Sequence, residues 1–97
     1  MKKEKPDFKL DESAMNDWGY QLMQGNHLSE ASALLKLNIQ NYPDSSNAYT
    51  ILGETYSKSG DKQLARDNYD KALEKDPNNS EAKDKLKELD APSVPSK

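Results

Sequence analysis

The sequence predicts an all-α protein, an α-α superhelix made of two helix-turn-helix hairpins and a C-terminal capping helix. Shifted by 34 residues, the chain lays Ala14 over Ala48, Gly19 over Gly53, Ala31 over Ala65 and Pro43 over Pro77. Gly and Ala at matched points let antiparallel helices approach closely, and Pro, lacking its N–H, stops the second helix of each pair. Apolar residues in both copies recur at three- and four-residue spacing, the period of a helix with one buried face. Hydrophobic residues make up only 33% of the 97 and charged residues 32%, a mix that suits solvated helices and disfavours strands.

Residues 1–10 are a polar lead-in whose Phe8 and Leu10 are expected to tuck beside the first helix. Asp11 is placed to cap that helix, and Ala14, Met15, Trp18, Leu22 and Met23 mark its apolar stripe through about Gln24. Gly25-Asn26 supplies the turn, both residue types tolerating positive φ. The second helix is expected over 27–41, burying Leu28, Ala31, Leu34, Leu35 and Ile39 and ending at Tyr42-Pro43. Ser45 or Ser46 caps the third, over 46–58, with Ala48, Tyr49, Leu52 and Tyr56 before Gly60. Asp61 caps the fourth, over 62–75, with Leu64, Ala65, Tyr69, Ala72 and Leu73 ahead of Pro77. Ser80 is expected to cap a fifth helix, whose Ala82, Leu86 and Leu89 form the narrow stripe that the end of a solenoid requires. The domain then covers 11–90, with repeats at 12–45 and 46–79 and the capping helix at 80–90, and 91–97 are expected to be a disordered tail.

Charge and composition narrow the function classes. Fourteen Lys and Arg are interleaved with 17 Asp and Glu, for a net charge of −3, which leaves no basic stripe for a phosphate backbone, so nucleic acid is not an expected partner. There is no Cys, hence no disulfide framework and no thiolate metal site. No run approaches the length of apolar residues that a membrane-spanning helix needs, and a membrane partner is not expected. Met1-Lys2-Lys3 is followed by Pro6-Asp7 instead of an apolar stretch, so export by this segment is not supported. The default compartment is cytoplasmic, unless the chain is cut from a larger exported protein.

Chemistry-bearing motifs are sparse, and neither enzymatic activity nor a cofactor is expected. Ser80-Glu81-Ala82-Lys83 spells a serine-nucleophile signature but reads as a helix cap, because the chain has no room for the partner domain such chemistry needs. His27, the sole histidine, stands at a helix start with no second ligand and reads as a surface polar group. Asn78-Asn79-Ser80 has the glycosylation form, yet Asn and Ser are what an inter-helix turn asks for. Trp18, Tyr49, Tyr56 and Tyr69 have helical spacing and are expected in the core.

The second copy carries Tyr49, Leu52-Gly53, Tyr56, Ala65, Tyr69 and Pro77, and the first Met15, Trp18-Gly19, Leu22, Ala31, Leu35 and Pro43. In this pattern and in its period the chain resembles the tetratricopeptide repeat family. The resemblance implies a right-handed superhelix whose first helices line a concave groove for an extended peptide or partner helix. Positions there that packing does not claim give an expected partner-binding set of Asn16, Tyr20, Met23, Asn47, Thr50, Ile51, Glu54, Lys58 and Lys85, flanked by Gln24, Asp84 and Glu88. Tyr20 and Ile51 are either apolar anchors or part of the hairpin interface. Family members that hold acidic chaperone tails use a clamp of Lys, Asn, Asn, Lys and Arg. The matching places here are Asn16, Tyr20, Ile51, Glu81 and Lys85, so such tails are not expected to bind.

From Phe8 to Leu89, notably in Trp18-Gly19-Tyr20-Gln21-Leu22 and Tyr42-Pro43-Asp44-Ser45-Ser46-Asn47-Ala48-Tyr49, the chain is also similar to the repeat tail behind the catalytic domain of some bacterial serine hydrolases of the esterase and β-lactamase-like kind. The expected function is a non-enzymatic protein-protein interaction module that binds a peptide or partner domain. The alternative is a structural tail that packs on a catalytic domain or mediates self-association.

Overall fold

The computed structural model describes residues 11–90. They form α1 (Glu12–Gln24), α2 (Leu28–Asn41), α3 (Ser46–Lys58), α4 (Lys62–Lys75) and α5 (Ser80–Asp90), with no strand among the described residues. The all-α expectation holds. The Phe8 and Leu10 tuck and the 91–97 tail lie outside the described residues. No helix among them is long and apolar enough to cross a membrane.

Side-chain caps set most helix starts by satisfying backbone N–H groups that have no partner within the helix. Asp11 accepts from the Ala14 N–H at 2.8 Å, Ser45 from Ala48 at 3.3 Å and Asp61 from Leu64 at 3.2 Å. The cap of α5 is Asn79, whose Oδ1 accepts from the Ala82 N–H at 3.0 Å. Ser80, expected in that role, is instead the exposed first residue of the helix. His27 makes no side-chain cap bond, and α2 begins one residue later than expected, at Leu28. The chain reverses within each hairpin through a residue at positive φ, Asn26 (68°) and Gly60 (90°), which are themselves one repeat apart.

Each helix packs on its neighbour in sequence; α1 also touches α3, and α3 touches α5, while α2 and α4 stay apart. The inner layer is therefore α1, α3 and α5, and α2 and α4 form the outer one. Between them lies the core of Met15, Met23, Ala31, Leu35, Ala48, Leu52, Ala65, Tyr69, Ala72 and Ala82. Glycine makes the two closest approaches. A Cβ at Gly19 would stand 2.8 Å from Leu35 Cγ, and one at Gly53 2.6 Å from Tyr69 Cε1.

Trp18 departs from expectation, being 49% exposed instead of core. It occupies the repeat position of Leu52, which is buried in the hairpin that α2 covers, but no described helix precedes α1 to cover Trp18. Ala14 is exposed for the same reason, whereas its counterpart Ala48 is fully buried. Tyr49 and Tyr56 are half-buried, Leu64 is largely exposed, and only Tyr69 of the four aromatics is fully buried.

Candidate functional site

The inner layer encloses two adjoining cavities. One, of about 600 Å³, is lined by α1 (Tyr20, Met23, Gln24), α3 (Glu54, Ser57, Lys58), α4 (Lys62, Tyr69) and α5 (Lys85, Glu88, Leu89). The other, of about 330 Å³, lies among Ser13, Asn16, Asp17, Tyr20, Asn47, Ile51 and Glu81. Tyr20 lines both and joins them into one groove across α1, α3 and α5.

Of the nine residues expected at the groove, Thr50 lines neither cavity. Three of the nine are not left over from packing, contrary to expectation. Thr50 is fully buried; its hydroxyl donates to the Ser46 carbonyl at 3.0 Å and accepts from Asn79 Nδ2 at 3.0 Å. Asn16, buried, accepts from Asn38 Nδ2 at 2.8 Å and donates to Ser45 Oγ at 3.5 Å. Met23 is 1% exposed and forms groove floor that is continuous with the core. Met23 is covered because it belongs to the apolar stripe of α1; Asn16 and Thr50 are covered because, where inner helices meet outer ones, side chains one step off the stripe are still enclosed, and enclosed polar atoms must find partners. Tyr20 at 41% exposure, the half-buried Ile51, and the exposed Asn47 and Lys58 remain accessible.

At the groove floor Lys85 Nζ meets Glu54 Oε2 at 2.9 Å, both groups being largely covered. The second carboxylate oxygen, Oε1, is buried without a protein partner. The hydrogen bond to Glu54 raises the Lys85 ammonium above its ordinary value; burial opposes this, and the charges of Glu54, Glu88 and Glu81 add to it. Burial above all, then the same carboxylates, pushes the Tyr69 hydroxyl well above its usual range. The floor therefore offers a protonated phenol and a neutralised ion pair.

Sequence reading missed Lys62 and Tyr69 as lining residues, because both sit on the outer helix α4. Tyr69 lies with its ring over Gly53 and still borders the cavity. A Tyr opposite a Gly was the available signal, since Phe would have filled the same core position without a polar end.

Both shifted groups bind protons more tightly in the folded than in the unfolded chain. Their stabilisation is complete below about pH 10, where the unfolded side chains begin to release protons, and is lost as pH rises further through the folded values. The thermal midpoint should fall above about pH 10, and the combined Tyr69→Phe, Lys85→Arg variant should fall less steeply. An unchanged slope in melts run from neutral to strongly alkaline pH would remove these two groups as its source.

No curated protein matches the chain. Residues 46–79, from the start of α3 through the turn after α4, match the sequence model of the tetratricopeptide repeat. The matched stretch is similar to one tetratricopeptide repeat and forms the α3–α4 hairpin of the five-helix, strand-free architecture of the described residues.

Proposed function

We propose that the chain is a non-enzymatic interaction module, with repeats at 12–45 and 46–79, that takes an extended peptide or a partner helix into the groove across α1, α3 and α5. The observation that carries this reading is Tyr20, a large, accessible ring shared by both cavities. With Ile51 it offers an apolar seat, and Asn47 supplies an amide for a peptide backbone. Repeats of this family typically mediate protein-protein contacts and typically do no chemistry. The rim mixes Lys58 and Lys62 with Asp17, Glu81 and Glu88, so the seat suits an apolar side chain flanked by polar residues better than a run of carboxylates.

The test uses peptides selected by display against the intact chain. Tyr20→Ala and Ile51→Ala should each weaken the selected peptides by about thirtyfold, the typical loss for truncating an anchor, while Tyr20→Ala shifts the melting point by only a few degrees. An acidic chaperone-tail peptide should show no saturable binding tighter than about 10 µM. Undiminished affinity in both variants, or failure to select any binder, refutes the groove. The structural-tail reading would use a different surface, because Trp18 and Tyr20 project about 200° apart around α1.

A further inference from the structure

The outer side of the first hairpin carries an apolar hollow of about 410 Å³, lined by Trp18, Leu22, Glu30, Ala33, Leu34 and Leu37. Trp18 and Leu37 are each nearly half exposed. The repeat itself supplies the comparison. One period later, Ala33, Leu34 and Leu37 become Asp67, Asn68 and Lys71, so three of the four α2 residues at the hollow are apolar where α4 is polar, the reverse holding at Glu30 and Leu64. On α1, Ala14 and Trp18 correspond to Ala48 and Leu52, both buried. The surface thus has the composition of a covered face.

We infer that this hollow is the docking site for the chain's own lead-in, with Phe8 seated against Trp18 and Leu34 and Leu10 against Leu37. Phe8 is three residues before Asp11, a reach of about 10 Å along an extended chain. Trp18 is seven residues beyond Asp11 along the helix, a rise of about 10 Å. Phe8 therefore reaches the level of Trp18 without spare length, and Leu10, one residue before Asp11, reaches only the near end of the hollow, where Leu37 adjoins Asn38, whose Nδ2 donates to the Glu12 carbonyl at 3.2 Å. A second copy is the weaker occupant. Six lining residues fall well short of the roughly 20–30 per side of a stable interface, whereas a tethered segment acts at an effective concentration of order millimolar.

Trp18 is the only tryptophan, so its fluorescence reports the cover directly. In the full chain, Phe8→Ser with Leu10→Ser should shift Trp18 emission to longer wavelength, raise its quenching by acrylamide and lower the melting point by about 5 °C or more, with helix content retained. Leu37→Lys, which installs the residue of the second copy, should also expose Trp18. Combined with the lead-in substitutions it should add little, because both remove one contact. Unchanged Trp18 quenching in the lead-in variant overturns the inference. Protection of Trp18 that grows with protein concentration, alongside a dimer in sedimentation, also overturns it and assigns the hollow to a second copy. Peptide affinity at the groove is not involved, so this result is independent of the proposed function.

Discussion

Gly53→Leu is expected to lower the thermal midpoint by about 10 °C or more, and Gly53→Ala by less. A Cβ at this position would lie 2.6 Å from Tyr69 Cε1 and 2.7 Å from Cδ1. The ring is only 2% exposed and cannot swing aside without vacating the core. Replacing a glycine inside a helix gains about 1 kcal/mol of propensity. Against that, overpacking costs about 1–3 kcal/mol even for small insertions, and a leucine inserts a whole branched side chain between two helices in contact. The steric cost wins. Gly60 is the contrast, since nothing lies within 4 Å of a Cβ there and only its positive φ resists substitution. Thermal melts of the two Gly53 variants decide the matter. A Gly53→Leu midpoint within about 2 °C of the parent would mean that α3 and α4 are not held in this close approach.

Asn79→Ala should cost about 2–3 kcal/mol, the second largest effect, from one helix cap plus two buried hydrogen bonds. Asn79 Oδ1 caps α5, and its Nδ2 donates to Ser46 Oγ at 2.7 Å and Thr50 Oγ1 at 3.0 Å. Ser46 Oγ in turn donates to the Ala72 carbonyl at 2.7 Å. One side chain therefore ties the starts of α3 and α5 to the end of α4. Ser80→Ala, by contrast, should be nearly neutral, because that exposed hydroxyl makes no cap. Urea unfolding of the two variants separates them. Equal losses, or a larger loss for Ser80→Ala, would return the cap to Ser80.

Helix existence, order and the close approach at Gly53 were legible in the sequence because they depend on local chemistry: apolar period, cap residues, and a proline or positive-φ residue at each reversal. The 34-residue offset held more than was drawn from it. Asp11, Ser45 and Asn79 stand at equal spacing and cap the first helix of each unit, so the same shift pointed to Asn79 over Ser80.

What the sequence determined by itself is the all-α repeat, the placing of the inner helices and the presence of Tyr20 and Ile51 on them. Only tertiary structure decided which side chains stay accessible. Asn16 and Thr50 are covered although they lie beside the packing stripe, and Trp18 is exposed although it lies on it. The physical reason is that burial belongs to pairs of surfaces. A residue's own helix fixes its direction, but whether another helix stands in that direction depends on the whole array: α2 stands before α3, and no described helix stands before α1.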